Sequence, residues 1–263
     1  MMRIFVMTDL EGVAGVASFE GDAYAGAPRL DRARMLLTRE VNAAVVGLLD
    51  AGAGEVVVMD GHGSEGVVYE ELDPRASLIH GRPLSPRWME EIEGCAATIF
   101  IGQHAMAGVP DGNLNHTQDS RTTASITLNG ELIGEIGQWA LFAGARGVPA
   151  IFLSGDEAAC REFTVLVPEA PTAAVKRGLG RNSAVSVSAA EAQRRIREGA
   201  RLALQRHRQR PFAPLTRKAP YVLERRFFST ASVEPYLGRP GVQIVDALTV
   251  RIRADDLGAI IYT

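Results

Sequence analysis

The stretch Arg3-Ile-Phe-Val-Met-Thr-Asp-Leu-Glu-Gly12 decides the architecture. Ile4 to Met7 form a short apolar run of the kind a buried strand uses. Asp9 and Glu11 follow at a spacing of two, so an extended backbone points both carboxylates to one side. Gly12 and Gly15 then release the chain into a loop just beyond the strand, which is where open α/β sheets bind ligands. The same residues would also suit a helix N-terminus with acidic residues in its first turn. The two readings separate further along the chain.

Ser18 to Arg29 is a polar, Gly- and Ala-rich loop long enough to fold over a site. Leu30 to Ala51 carries apolar residues at Leu37, Val41, Ala44, Val45 and Leu48, an amphipathic helix that Gly52 stops. Glu55 to Met59 is a second β-branched run, and the βαβ order makes the two strands parallel with a right-handed crossover. It ends in Met59-Asp-Gly-His62-Gly-Ser64, and a further strand, Ala97 to Ile101, ends in Gly102-Gln-His104. Equivalent ends of neighbouring parallel strands stand about 5 Å apart. Asp9, Glu11, His62 and His104 therefore gather on one sheet edge.

Ser77 to Ile79 reads as a short strand, and Pro86 to Ile92 as a short helix with Trp88 as a packing anchor. Asn129-Gly130 marks a tight hairpin between Ser125–Leu128 and Glu131–Ile133. A helix then runs to about Arg146 with Glu135 in its first turn, where the helix dipole alone accounts for a carboxylate. Ala150 to Leu153 is another strand. Beyond Gly155, Asp156 to Phe163 reads as helix, Thr164 to Val167 and Thr172 to Val175 as extended, and Ser188 to Arg208 as a long Arg-rich helix with a solvated face. Pro211, Pro214 and Pro220 mark a break before two strands, Tyr221 to Phe228 and Val242 to Ile252. The expected fold is α/β, a mostly parallel sheet flanked by helices, with a second, smaller α+β domain. Residues 1–155 would form the metal-binding catalytic domain, and residues 156–263 would contribute to the substrate site and to oligomer contacts.

The 263 residues are 46% hydrophobic with a formal charge of -3, enough for a substantial core and without the basic face of a nucleic-acid binder. Two cysteines, Cys95 and Cys160, lack C-x-x-C partners, which argues against thiolate metal sites and a disulfide scaffold. No signal peptide and no transmembrane run are visible, so a cytoplasmic location is expected. Gly52-Ala-Gly54 precedes a strand instead of following one, and no G-x-S-x-G elbow occurs, so neither a dinucleotide cofactor nor a serine hydrolase is supported.

Asp9, Glu11, His62, His104 and Glu135 make a mixed oxygen and nitrogen donor set. Five such groups exceed the three protein ligands of a usual catalytic zinc. Two metals about 3.5–4 Å apart fit the set better, with Asp9 as the natural bridge. Of the remaining groups, Asp60 reads as a turn residue or a support behind the ligands, and Lys176 either as a surface residue or as a partner for a substrate carboxylate. His80 reads as a turn or core residue, and His207 as inert among the arginines of an exposed helix.

The segments Thr8-Asp-Leu-Glu-Gly-Val-Ala-Gly15, Asp60-Gly-His-Gly-Ser64, Phe100-Ile-Gly-Gln-His-Ala105, Asn115-His-Thr117 and Asn129-Gly-Glu-Leu-Ile-Gly-Glu-Ile-Gly137 resemble the zinc-dependent D-aminopeptidases of the dipeptide-operon (DppA) type. The similarity continues through Gly155-Asp156 and Thr172-Ala-Ala-Val-Lys176 to Asn182-Ser-Ala184. It implies that Asp9, Glu11, His62, His104 and Glu135 hold two zinc ions per subunit and that His116 is the catalytic histidine. It also implies removal of an N-terminal D-amino acid from short peptides, and assembly into a ring-shaped homo-oligomer, a decamer, with the sites facing an inner chamber. Asn115 before His116 and the loop from Gln118 to Thr122 depart from the family pattern. The alternatives are a two-metal hydrolase of another amide or of a phosphoester, and a non-catalytic ring-forming binding protein. No nucleic-acid or membrane partner is expected.

Overall fold

The computed structural model describes residues 2–261. The opening stretch forms β1 (Arg3–Thr8), with Ile4, Phe5 and Val6 fully buried, as a strand covered on both faces requires. α1 (Leu30–Asp50) crosses over to β2 (Glu55–Met59), which pairs with β1 in parallel. β3 (Ala76–Ile79) and β4 (Ala97–Gln103) add parallel strands on either side of that pair. β5 (Thr123–Leu128) and β6 (Glu131–Leu132) are the expected hairpin, with Asn129 and Gly130 at φ 54° and 83°. α2 (Glu135–Ala145), β7 (Ala150–Asp156) and α3 (Glu157–Leu166) follow. Next come β8 (Thr172–Gly180), β9 (Ser183–Ser186) and α4 (Ala189–Gln209), then β10 (Tyr221–Phe227), β11 (Val242–Asp246) and β12 (Thr249–Ala254).

Among the described residues the strands form two sheets. The larger, in the order β3-β2-β1-β4-β7-β8-β9, is parallel except at β8–β9. The smaller, β11-β12-β10-β5-β6, is antiparallel. The fold is thus mixed α/β with a mostly parallel sheet flanked by helices. Each sheet takes strands from both sides of residue 155. α1 and α4 lie side by side, and Trp139 of α2 packs on Phe5 and Trp88 with ring centroids 5.0 and 5.3 Å away.

Several local expectations are corrected. Thr164 to Leu166 continue α3 instead of running extended, because Ala159, Cys160 and Phe163 bury one helix face against the core; the Thr164 hydroxyl donates to the Cys160 carbonyl at 2.8 Å. Val242 to Ile252 is a hairpin and not one strand. The Asp246 carboxylate accepts from Leu248 N at 2.8 Å and turns the chain between β11 and β12. The loop from Ser18 to Arg29 contains a π-helical turn, Phe19–Ala23, held by the Asp22 carboxylate, which accepts from Ala17 N, Ser18 N and Arg29 Nε.

The strand ends of β1 and β4 meet with almost no room between them. Gly12 N donates to the Gly102 carbonyl at 2.7 Å, and a Cβ on Gly12 would stand 1.9 Å from the Gln103 carbonyl oxygen. Gly12→Ala is therefore expected to destabilise the protein by about 3 kcal/mol, since backbone must move to admit the methyl group. A urea midpoint equal to that of the unsubstituted protein would contradict this tight approach.

Candidate metal centre

Each expected site residue leaves the same edge of the larger sheet or faces it. Asp9 and Glu11 follow β1, His62 follows β2, and His104 follows β4. Glu135 is the first residue of α2, carried there by the hairpin. His116 lies in the loop between β4 and β5, flanked by Leu114 and Gln118 at φ 54° and 63°. That left-handed backbone is costly for side-chain-bearing residues and marks a loop held by its surroundings. All six side chains converge. Donor atoms of Asp9, Glu11 and His62 lie within 4.8 Å of one another, as do those of His104, His116 and Glu135. Asp9 Oδ2 connects the two groups, 3.1 Å from His104 Nε2.

The histidines are oriented from behind. Nδ1 of His104 donates to the Ala105 carbonyl at 3.0 Å and Nδ1 of His116 to the Leu114 carbonyl at 2.9 Å. Carbonyls only accept, so both rings carry the proton on Nδ1 and, when neutral, present an Nε2 lone pair to the centre. His62 Nδ1 meets the Ser64 hydroxyl at 3.1 Å, and its Nε2 lies 3.3 Å from Glu11 Oε1. The rings of His104 and His116 stack with centroids 4.0 Å apart, and Phe19 meets His116 edge-on at 5.5 Å. Gln118 N donates to Glu135 Oε1 at 2.6 Å, which fixes that carboxylate beside His116.

Five of these six groups are buried, Glu135 is partly exposed, and their charges act on one another. Burial, then the neighbouring Glu11, pushes the Asp9 carboxyl up to about 7. Burial also works to raise Glu11, but His62, His116 and His104 outweigh it and hold this carboxyl well below its usual range. Glu135 is likewise opposed by burial and lowered to about 2, chiefly by His104. Burial disfavours charge on His62, yet Glu11, Asp9 and Asp60 raise it to about 9. His116 moves the other way, lowered by burial and by His104. Two polar atoms stay unsatisfied: Glu11 Oε2 and His104 Nε2 are buried without a hydrogen-bond partner, the latter lying close to Asp9 Oδ2 but out of alignment for a bond.

The surroundings differ from the sequence reading at two places. Lys176 is neither on the surface nor facing a substrate. It is 3% exposed, and its Nζ donates to the carbonyls of Glu11 and Val16 and to Asn113 Oδ1. Burial lowers it to about 8, against the pull of Asp156, Glu11 and Glu40. It ties the loop after β1 to the loop bearing His116, a role no local sequence signal announces. His207 is buried, not exposed, and its Nδ1 accepts from Phe212 N at 3.1 Å. Asp60 accepts from Gly66 N at 2.9 Å and Val67 N at 3.1 Å, organising the loop behind His62, while the exposed His80 stacks on Tyr69.

Five of the six residues line a cavity of about 350 Å³, with His104 behind Asp9 and Glu135. A parallel sheet that delivers carboxylates and imidazoles from adjacent strand ends into one cavity is the architecture of a metal-dependent hydrolase. Comparison narrows the class: residues 2–263 match the D-aminopeptidase family, and the chain belongs to it. A D-aminopeptidase of Bacillus subtilis (strain 168) is 30% identical over 267 residues, covering 97% of this chain and 93% of that protein. The solved structure of a Zn-dependent D-aminopeptidase, DppA from Bacillus subtilis, described as a self-compartmentalizing protease, superposes with a TM-score of 0.89. Its identity is 29%, with 98% of this chain and 93% of that chain covered.

Proposed function

We propose that this chain is a two-zinc aminopeptidase that releases the N-terminal D-amino acid from short peptides. The observation that carries the reading is the pair of buried, unpartnered atoms Glu11 Oε2 and His104 Nε2, one in each cluster of donors. Orphaned buried groups of this kind are costly unless a ligand completes them. Asp9, Glu11 and His62 would hold one ion, and His104 with Glu135 the other, with Asp9 between them. The all oxygen-and-nitrogen donor set suits zinc, and the relative of known structure is described as Zn-dependent.

A divalent ion held by these residues would supply Lewis acidity for the scissile carbonyl and make a nearby water more acidic, towards a pKa of about 7. The protein supplies the remaining steps. His116, with its Nδ1 proton committed to the Leu114 carbonyl, accepts a proton at Nε2 and delivers it to the leaving amine. Burial lowers the pKa of this ring and so favours the neutral form that a base requires. Glu135, ionised and held by Gln118 N, lies 3.8 Å from His116 Nε2 and stabilises that ring when it takes up the proton. The D-configuration of the substrate is supported by the family and by both relatives.

Assembly into a ring-shaped decamer belongs to the same reading. It is supported by the self-compartmentalizing relative and by exposed Phe228, Leu237, Ile244 and Val245 around the smaller sheet. Among the described residues no helix is long and apolar enough to cross a membrane, and Cys95 and Cys160 are free thiols, which supports a cytoplasmic location. The test is a panel of D- and L-aminoacyl peptides and a phosphoester, assayed on zinc-loaded protein whose mass in solution is measured by light scattering. Preferential release of D-residues from a large ring is expected; turnover of the phosphoester alone would sink the peptidase reading, and a monomer would sink the ring.

A further inference from the structure

Behind the metal centre lies a second, smaller cavity of about 200 Å³ that the catalytic reading leaves unused. It meets the larger one at Asp9, Gly61 and Glu135, which line both. The missing side chain at Gly61 matters at this junction, where a Cβ would stand 2.3 Å from the Thr8 carbonyl oxygen. The larger cavity is bordered by polar groups such as Ser64, Asp119 and Arg121. The smaller one is walled by Met7, Met59, Leu84, Trp88 and Phe100. No lysine or arginine lines it, and the Thr8 hydroxyl on its border is already committed to the Met59 carbonyl at 2.9 Å. A carboxylate side chain would find no cation there, only the Gln103 amide, and would stand close to the carboxylates of Asp9 and Glu135.

We propose that this apolar recess is the subsite for the side chain of the released residue, and that it selects aliphatic side chains of leucine or methionine size. The inference rests on the aminopeptidase reading and adds the substrate class. The direction of the substrate follows from its ends. The N-terminal residue has nothing beyond its side chain and fits a recess closed by the buried Met59 and Phe100, whereas the leaving peptide continues and needs the larger, polar mouth. The volume equals that of roughly seven waters at about 30 Å³ each, room for one apolar side chain. Burying each methylene there favours binding roughly fourfold, so leucine outruns alanine by at least about tenfold.

The test compares D-Leu-Gly-Gly, D-Ala-Gly-Gly and D-Glu-Gly-Gly on zinc-loaded protein, with kcat/KM as the readout. D-Leu is expected to exceed D-Ala by about tenfold or more, with D-Glu below both. Leu84 is half-buried on the recess wall and is the residue to change. Leu84→Trp should lower the D-Leu to D-Ala ratio at least about tenfold. Leu84→Ala should shift preference from D-Leu towards D-Phe, which keeps the question open to measurement if the tryptophan variant fails to fold. Circular dichroism and bound zinc report whether each variant is folded and loaded. An unchanged ratio in folded, loaded variants overturns the recess while leaving the aminopeptidase standing. Failure of the zinc-loaded, unsubstituted protein to cleave any D-aminoacyl peptide overturns both.

Discussion

Removal of metal by a chelator is expected to abolish D-aminoacyl peptide hydrolysis and to lower the melting temperature by about 10 °C, and added zinc is expected to restore both. The two effects share one cause. Six ionisable side chains converge on one centre, five of them buried, and three of the six are carboxylates. Without a cation, burial and then the neighbouring Glu11 disfavour charge on Asp9 and push its carboxyl up to about 7. Glu11 Oε2, buried without a hydrogen-bond partner, carries an unsatisfied desolvation cost of about 1–3 kcal/mol. A ligand present at about 1,000 times its dissociation constant adds about 4 kcal/mol to folding stability, and each kcal/mol moves the midpoint of a chain this size by about 2–4 °C. Calorimetry of the chelated and reloaded protein, with an assay on the same samples, measures both. Full turnover after complete metal removal would end the metallopeptidase account.

His116→Ala is expected to lower kcat by about 10²- to 10⁴-fold, with little change in KM and no loss of bound zinc. The proton-transfer role rests on the Nε2 lone pair left by the bond from Nδ1 to Leu114, and on a pKa held low by burial and by His104. A base is active when deprotonated, so activity falls as pH drops through that lowered value. The acid limb of the kcat profile should therefore lie below the ordinary histidine range and vanish in the variant. Near-normal turnover would remove His116 from the chemistry. Loss of one zinc would make it a ligand, since it also sits within 4.8 Å of donor atoms on His104 and Glu135.

What the sequence reveals about this site follows from how parallel sheets are built. Asp9, Glu11, His62 and His104 are legible because each follows an apolar run, and equivalent strand ends share an edge. Glu135 is not legible in that way. A carboxylate in a first helical turn has an ordinary explanation, and only the path of the β5–β6 hairpin and the resemblance bring it to the centre. The pairing of β10 with β5 joins distant segments that carry no local mark of their partners. His207 did carry a signal: Ile196, Ala200, Ala203 and Leu204 stand at helical spacing from it on the buried face, although its immediate neighbours are arginines. The turn at Asp246 was likewise present as an aspartate within an apolar run, masked by the β-branched residues on both sides.

The clamp formed by Lys176 has a consequence for how the protein comes into being. Every group that converges on the centre lies at or before residue 135, whereas the lysine that joins their two loops lies in β8. During synthesis the donors all emerge before their anchor exists, and the pocket takes its final shape only when β8 docks beside β7. Completion of the sheet thus fixes the geometry of a pocket whose converging groups were all made earlier.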